Sequence, residues 1–467
     1  MNRVSRRHFL GTAAAATMAA HPLVSGQAAR KPNLLVLLAD DLGYGDLGCY
    51  GQKQIKTPRL DRLAAEGIRF TDAYAGSTVC APSRCALMTG LHMGHALVRG
   101  NANVPLRPDD VTVAQALKRA GYATGAIGKW GLGEAGSTGI PTRQGFDSWF
   151  GYLNQNHAHN YYPTFLWRNE EKVALKNVVP KEDAQGGGIA SERVEYSHDL
   201  FVQEALAFVE KHKDQPFFLY LALTIPHANN EAGKEGMEVP SDEPYSDEDW
   251  PQAQRNLAAM VTRMDRDLGR LFDHLKKLGL DDDTIVFFSS DNGPHREGGN
   301  NPDFFDSNGP LRGIKRDLYE GGIRVPMIVR WPGHIQPGTV SGFPWAFWDF
   351  LPTACDIAGV EPPKGIDGLS VLPAILGKEQ KGHGYLYWEF HEGGFKQAVR
   401  MGPWKAVRLG TQRPIELYDL ATDLGEQTDV ADKHPDVVAT MADILKAART
   451  DSKEWPIREG PRPKSRQ

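Results

Sequence analysis

The residues best suited to chemistry lie in one short segment, residues 80–84, which reads Cys-Ala-Pro-Ser-Arg. Pro82 suits the first turn of a helix, because its missing N–H has no helical partner there. The segment therefore predicts Cys80 at or just before a helix N-terminus, where backbone N–H groups and the helix dipole favour an anion. Arg84 adds a planar fork of donors that matches a tetrahedral oxyanion. These features indicate an anion site around a potential nucleophile, although a lone cysteine is more often a buried core residue.

Acidic side chains follow two apolar runs, residues 33–39 and 284–290, that are typical of strands buried in a parallel sheet. These side chains, together with one amide, are Asp40, Asp41, Asp291 and Asn292. Ligands of open α/β sheets bind at the carboxyl ends of strands, so neighbouring strands would bring the four together. Their hard, all-oxygen set favours Ca²⁺, with Mg²⁺ as the second choice, over Zn²⁺. Taken alone, an aspartate after the first run could instead cap a helix.

Further polar candidates also lie at predicted strand ends or in a polar loop. Lys129 follows a strand at 124–127 and has glycines nearby that permit close backbone approach. His227 comes directly after a buried strand at 217–223. Residues 144–163 are predicted to be a loop, and its polar candidates are His157, His159 and Asn160. A His-x-His pair could bind a transition metal, but no further His or Cys cluster completes such a set, so we interpret the loop as a lip around a sugar.

The alternation of apolar runs and helical patterns predicts an α/β protein with a large mixed, mostly parallel sheet sandwiched by helices. Helices are predicted at 57–64, 111–120, 199–211, 252–278 and 436–449. From about residue 375 short aromatic strands are separated by Gly and Pro turns, which indicates a smaller antiparallel sheet with a C-terminal helix. We therefore divide the chain into a catalytic domain at 30–374 and a C-terminal α+β subdomain at 375–467.

Residues 1–29 resemble a bacterial twin-arginine export signal, with Arg6-Arg7 before an apolar, alanine-rich run. The run is too short for a permanent membrane anchor. We therefore expect a periplasmic or secreted protein whose partners include the twin-arginine export machinery. The formal net charge of −5 gives no reason to expect nucleic acid or an anionic membrane, and four cysteines are too few for a disulfide scaffold.

Residues 80–90 carry the string Cys-x-Pro-Ser-Arg-x-x-Leu-x-Thr-Gly, which resembles the signature of the type I, formylglycine-dependent sulfatases of the alkaline phosphatase-like superfamily. The strings at 320–322, 324–326 and 416–420 resemble this family further along the chain. The resemblance implies that a formylglycine-generating enzyme oxidises Cys80 to formylglycine, whose hydrate supplies the attacking hydroxyl. Because twin-arginine substrates cross the membrane folded, this oxidation would take place in the cytoplasm.

The same resemblance assigns roles to the other candidates. It implies that Asp40, Asp41, Asp291 and Asn292, completed by Cys80, hold a Ca²⁺. It also implies that the residues binding sulfate oxygens or handling protons are Arg84, Lys129, His227 and Lys315. The chain departs from the family at Gly131, where a histidine usually follows Lys-Trp. Our hypothesis is that His157 or His159 fills the vacated space, with His159 favoured.

The resemblance implies a sulfuric ester hydrolase that removes sulfate from a sulfated carbohydrate, with galactose or N-acetylgalactosamine 4-sulfate as the suggested unit. Two alternatives stay open at this point. One is a phosphoester or phosphonate hydrolase on the same scaffold, because phosphate and sulfate are similar in shape. The other is a non-catalytic binder of sulfated glycans in which Cys80 stays unmodified.

Overall fold

The apolar runs of the sequence form the central strands of the protein. The computed structural model describes Met1 and residues 30–460, so the predicted export signal lies outside the described residues apart from its first residue. The strands are β1 (Asn33–Ala39), β2 (Ile68–Phe70), β3 (Ala73–Tyr74), β4 (Ala123–Lys129), β5 (Ser148–Tyr152), β6 (Phe165–Arg168), β7 (Glu171–Ala174), β8 (Phe217–Ala222), β9 (Thr284–Ser290), β10 (Met327–Arg330), β11 (Thr339–Ser341), β12 (Trp345–Ala346), β13 (Leu386–Phe390), β14 (Lys396–Met401), β15 (Trp404–Arg408) and β16 (Glu416–Asp419). The α-helices are α1 (Pro58–Ala65), α2 (Cys80–Thr89), α3 (Val113–Arg119), α4 (Ser197–Lys211), α5 (Gln252–Lys277), α6 (Glu320–Ile323), α7 (Phe350–Ala358), α8 (Leu372–Ile375) and α9 (Pro435–Ala447).

A mixed sheet is the centre of the fold. Over the described residues it has ten strands in the order β11-β2-β10-β9-β1-β8-β4-β5-β6-β7. Its middle, from β9 through β1, β8 and β4 to β5, is parallel, and antiparallel strands flank this block on both sides. The predicted large, mostly parallel sheet is confirmed. The prediction of a continuous loop at 144–163 is wrong, because β5 lies within it and joins the parallel block.

Helices cover both faces of this sheet because its central strands are apolar on both sides. In β1, Leu34, Val36 and Leu38 pack into the core beneath α2, α3 and α7. The alternate residues Leu35, Leu37 and Ala39 pack into the core beneath α1, α4 and α5. This alternation follows from the two-residue repeat of a strand. Both sets are buried, and the carboxyl ends of the strands therefore lie between two helical layers.

The C-terminal part forms a second sheet, β13-β14-β15-β16, in which all neighbouring strands are antiparallel. One face packs against α9 through Tyr387, Met441 and Leu445. The other face joins the main core, where the indole N–H of Trp388 donates to the Ala75 carbonyl at 3.0 Å. The predicted antiparallel sheet with a helix is confirmed. None of the described helices is long and apolar enough to cross a membrane.

Candidate active site

The carboxyl ends of β1 and β9 place the predicted acidic residues side by side. The two strands are adjacent and parallel, with Ala39 opposite Ser290, so the residues after them meet at one edge of the sheet. The backbone N–H of Asp41 donates to Asp291 Oδ1 at 3.1 Å. The side-chain amide of Asn292 donates to Asp41 Oδ1 at 2.7 Å. Asp40, Asp41, Asp291 and Asn292 are all buried, so the sheet brings together the set that the sequence predicts.

Cys80 is the first residue of α2 and faces this acidic cluster. Its thiol donates to Asp40 Oδ1 at 3.2 Å, and its side chain is buried. Burial, together with the charges of Asp291 and Asp40, raises the pKa of the Cys80 thiol well above its ordinary value. The unmodified thiol is therefore protonated and a poor nucleophile. Pro82 is the third helical residue instead of the first, a position whose N–H also has no partner within the helix.

Three cations balance the three carboxylates. Lys129 Nζ lies 2.7 Å from Asp40 Oδ2, and Lys315 Nζ lies 2.7 Å from Asp41 Oδ2. Arg84 donates from Nε and Nη2 to Asp291 Oδ2 at 3.0 and 2.7 Å. The fork of Arg84 is thus held by the protein, and its third contact is a 2.7 Å hydrogen bond to the Lys129 carbonyl.

The charges of the cluster shift the pKa values of its carboxyl groups in opposite directions. Burial alone would raise the pKa of Asp40, but Lys129 and Arg84 lower it to about 2. Burial and the charge of Asp40 raise the pKa of Asp291 to about 7, despite the contact with Arg84. The charged form of Asp291 is therefore disfavoured despite its contact with Arg84, and an added cation would favour it.

His227 follows β8 and joins the cluster as a neutral imidazole. Its Nδ1 lies 2.7 Å from the carbonyl oxygen of Ala228, so Nδ1 carries the proton and donates. Its Nε2 then accepts from Lys315 Nζ at 3.0 Å and lies 3.5 Å from Asp41 Oδ2. Burial and the adjacent Lys315 ammonium lower the pKa of His227 well below its ordinary value. The unprotonated Nε2 of His227 can accept a proton, and the adjacent Lys315 ammonium can donate one.

The predicted loop residues separate into one that reaches the site and two that support the fold. His159 stacks on His227 with ring centroids 5.0 Å apart, and its Nδ1 lies 3.2 Å from Glu231. His157 is fully buried and packs against the rings of Tyr152 and Phe165 at 4.8 and 4.5 Å.

Asn160 is also fully buried. Its side-chain oxygen accepts from the backbone N–H of Tyr162 at 2.9 Å, and its carbonyl accepts from the Tyr152 hydroxyl at 2.6 Å. These bonds give Asn160 a role in shaping the loop.

The space beside Gly131 is filled by Gln155, so the hypothesis that His157 or His159 fills it is wrong. A β-carbon added to Gly131 would lie 2.0 Å from Gln155 Nε2 and 3.8 Å from Ala81 Cβ. The loop named in the hypothesis is the right one, but its glutamine projects to this point. The histidines are committed elsewhere, one to the aromatic core and the other to His227.

Two site residues that the sequence reading missed follow Asn292 closely. Glu297 Oε2 lies 3.2 Å from Lys315 Nζ, and Glu297 Oε1 lies 2.7 Å from Arg316 Nη1. His295 Nε2 lies 3.1 Å from the carbonyl oxygen of Pro226, next to His227. The available signal was their position within six residues of Asp291, on the loop that leaves the same strand end.

The described residues fit a hard divalent cation. The donor set at the ends of β1 and β9 is oxygen-rich, as Ca²⁺ and Mg²⁺ require. The side-chain oxygen of Asn292 is buried and has no hydrogen-bond partner among the described residues. Candidate ligand atoms of Asp40, Asp41, Cys80 and His227 also lie within 4.8 Å of one another. An unsatisfied amide oxygen beside three carboxylates is available as a ligand for a cation.

Two family models match most of the described chain. Residues 32–360 match the sulfatase family model, and residues 314–451 match a model described as N-sulphoglucosamine sulphohydrolase, C-terminal. The chain therefore belongs to the sulfatase family of the alkaline phosphatase-like superfamily, and it is a sulfatase, a hydrolase of sulfate esters.

Several named proteins are similar over most of their length. An N-acetylgalactosamine-6-O-sulfatase of Bacteroides thetaiotaomicron is 31% identical over 504 residues, covering 91% of this chain and 94% of the relative. Human arylsulfatase A is 32% identical, covering 89% of this chain and 87% of the relative. The crystal structure of Ps i-CgsB in complex with k-i-k-neocarrahexaose is 30% identical with a TM-score of 0.79, covering 92% of this chain and 95% of that chain.

Proposed function

We propose that the protein hydrolyses the 6-sulfate ester of an N-acetylgalactosamine-type unit in a sulfated carbohydrate, using a formylglycine at position 80 and a bound Ca²⁺. The reaction consumes water and releases inorganic sulfate and the sugar alcohol. The observation that carries the proposal is the position of Cys80, whose Sγ lies 3.2 Å from Asp40 Oδ1 inside a cluster of three cations and three carboxylates. A thiol that is held protonated there is a poor nucleophile. The cations around it are suited to binding an anion such as a sulfate ester.

Each absent group would supply one piece of chemistry. A Ca²⁺ held by Asp40, Asp41, Asp291 and Asn292 would act as a Lewis acid on a sulfuryl oxygen. A formylglycine at position 80 would supply a hydroxyl nucleophile in place of the inert thiol. Both are proposals for this chain, supported by the family membership and by the unsatisfied oxygen of Asn292.

The chain's own residues would perform the remaining tasks. Lys129 and Lys315 point their ammonium groups into the cluster and would bind sulfuryl oxygens as negative charge develops. Lys315 lies 3.0 Å from His227 Nε2, so the pair would pass a proton toward the departing sugar oxygen. Arg84 would act by holding Asp291 and the Lys129 backbone in place, since its fork already contacts both.

The substrate proposal rests on the named relatives. The Bacteroides relative is an N-acetylgalactosamine-6-O-sulfatase, and a human relative 34% identical over 371 residues is an N-acetylgalactosamine-6-sulfatase. These names favour the 6-position over the 4-position that the sequence alone suggested. The test is a comparison of kcat/KM on N-acetylgalactosamine 6-sulfate, N-acetylgalactosamine 4-sulfate and galactose 6-sulfate. A higher kcat/KM on the 4-sulfate than on either 6-sulfate would contradict the proposed position.

The reaction class has its own test. Turnover of an aryl sulfate should exceed that of the matched aryl phosphate, and the reverse order would favour the phosphoester alternative. A Cys80→Ala protein should lose turnover, whereas Cys85→Ala, five residues along the same helix and also buried, should retain it. Peptide mass analysis of residue 80 tests the modification directly. An unmodified Cys80 in protein co-expressed with a formylglycine-generating enzyme, together with binding but no turnover, would favour the non-catalytic binder.

We further propose export by the twin-arginine pathway to the periplasm or beyond, on the strength of residues 1–29. Replacing Arg6-Arg7 with Lys-Lys in the full chain should leave the protein in the cytoplasm, as measured by fractionation. Unchanged export would contradict the assignment.

A further inference from the structure

Gly131 lies at a point of the site where a side chain is excluded. Its φ of +82° is in the left-handed region that favours glycine. A β-carbon there would also lie 2.0 Å from Gln155 Nε2, far inside contact distance. The same β-carbon would lie 3.8 Å from Ala81 Cβ, beside the residue that follows Cys80. The amide of Gln155 thus occupies the position where a side chain of residue 131 would begin.

The backbone around Gln155 is fixed by the sheet. β4 and β5 are parallel, with Lys129 opposite Tyr152. Beyond the strands the pairing continues, because the N–H of Trp130 donates to the Tyr152 carbonyl at 3.0 Å and the N–H of Gly131 donates to the Leu153 carbonyl at 2.9 Å. Gln155 comes two residues after this last contact. Its side chain is therefore presented by the same strand ends that position Lys129.

The amide of Gln155 has no use within the described protein. Both Nε2 and Oε1 are buried, and neither has a hydrogen-bond partner among the described residues. Buried amides are rarely left unpaired, because each unmade bond costs stability. By contrast, Lys129, Lys315 and Arg84 in the same site all have partners. The Nε2 of such a group is suited to a ligand that brings an acceptor.

We propose that Gln155 is a substrate-binding residue that replaces the side chain missing at position 131, with its Nε2 donating to a sulfuryl oxygen of the bound sulfate ester. This inference rests on the proposed function of the site. A carboxamide neither gains nor loses a proton between about pH 4 and 9. Gln155 therefore binds and orients the sulfuryl group without transferring a proton. Proton transfer, which a histidine at this point could share, is left to His227 and Lys315.

The direct test is the affinity of the full chain for inorganic sulfate, measured by calorimetry at pH 8. Gln155→Ala should bind sulfate about tenfold more weakly, the loss of one hydrogen bond to a charged group. Gln155→Glu should bind on the order of a hundredfold more weakly, because it places a carboxylate against the anion. The matched control is Asn156→Ala, whose side chain contacts Asp183 instead of the site and whose loss should leave affinity unchanged. Wild-type affinity in Gln155→Ala, or equal losses in the Ala and Glu variants, would overturn the inference.

A second pair of variants tests the steric relation between the two positions. Gly131→Ala should weaken sulfate binding about as much as Gln155→Ala, because its β-carbon displaces the amide. The double variant should be no weaker than Gln155→Ala, since the displaced group is already gone. Losses that add in the double variant would show that Gly131→Ala acts through its own backbone at φ +82° and would overturn the steric relation between the two positions.

Activity separates this inference from the proposed function. On an aryl sulfate, Gln155→Ala should lower kcat/KM about tenfold and leave the shape of its pH profile unchanged. A wild-type protein that turns over no sulfate ester would end the proposed function, while the sulfate affinities would still decide whether Gln155 binds the anion. Wild-type turnover and sulfate affinity in Gln155→Ala would end the inference and leave the proposed function standing.

Discussion

Replacing Lys405 with methionine should strongly destabilise the protein without touching the active-site cluster. Lys405 lies in β15, is fully buried, and places its Nζ 2.7 Å from Glu320 Oε1 and 3.4 Å from Glu426 Oε1. Glu320 keeps other partners, because Arg324 Nη1 lies 3.1 Å and the Tyr74 hydroxyl 2.6 Å from its Oε2. Glu426 loses its cation and keeps the backbone N–H of Glu320 at 2.7 Å. Glu320 therefore loses its shortest ion pair but keeps another cation, whereas Glu426 is left without one.

The magnitude follows from leaving that carboxylate buried and unpaired. Removing one member of a buried ion pair typically costs about 3–5 kcal/mol. Burial already raises the pKa of Glu426 to about 7 in the intact protein, against an ordinary 4.5, even with Lys405 present. A carboxyl whose folded pKa is raised stabilises the fold below its unfolded pKa, and this contribution is lost as pH rises through the folded value. Without Lys405 the folded pKa rises further, so the deficit of Lys405→Met should be larger at pH 8 than at pH 5.

The measurement is urea unfolding at pH 5 and pH 8, with Lys446→Met as the matched control. Lys446 is exposed on α9, so its replacement should change the free energy of unfolding by less than about 0.5 kcal/mol. Adding Glu426→Gln to Lys405→Met should recover part of the loss at pH 8, because a neutral amide needs no cation. A Lys405→Met protein within about 1 kcal/mol of wild type at pH 8, or a deficit larger at pH 5, would refute the reasoning.

Three further outcomes are expected. Asp46→Asn should raise the free energy of unfolding, measured by calorimetry, by about 1–3 kcal/mol at pH 7.5 and by little at pH 4. Burial raises the pKa of Asp46 to about 6, so its charge costs stability only at pH values above its unfolded pKa. A lower free energy of unfolding at pH 7.5 would contradict this. His159→Ala should lower kcat/KM on the sugar substrate about tenfold, whereas His157→Phe, at an aromatic core position, should keep it within about twofold; the opposite ranking would count against the stacked arrangement. Chelation should lower the unfolding temperature, because the carboxylates at the ends of β1 and β9 repel one another without a bound cation. Ca²⁺ should restore the unfolding temperature better than Zn²⁺, because the ligands are oxygens. Equal restoration by Zn²⁺ would contradict the oxygen-ligand argument.

The acidic residues at the strand ends could be predicted because a strand buried on both faces is a continuous apolar run in the sequence. A run such as residues 284–290 is apolar on both faces only if it lies inside a sheet, and polar residues directly after it must lie at the edge. What the sequence could not give is the order of strands, which pairs Ala39 with Ser290 across a separation of about 250 residues. The shared edge was a conditional prediction until that pairing was known.

The short strands escaped prediction because their sequences resemble loops. β5 contains Gly151 with a φ of +151° and is only five residues long, so local preferences do not indicate a strand. Missing β5 had a consequence, since Gln155 is placed by that strand. Asn160 shows the converse error in interpretation, because a polar residue in a polar loop can hydrogen-bond inward to its own backbone. Side-chain direction in such loops depends on contacts far along the chain.

The burial of Cys80 in the folded protein limits the time in which an enzyme can reach and modify it. In the folded protein its side chain is 1% exposed, and the charges that act on it include that of Asp291, which is synthesised later. At about 5–20 residues per second, the ribosome needs roughly 10–40 s to travel from residue 80 to residue 291. The modification proposed for Cys80 therefore has to act within that interval or before the strands pair. Conditions that speed folding relative to maturation should raise the proportion of well-folded but inactive protein.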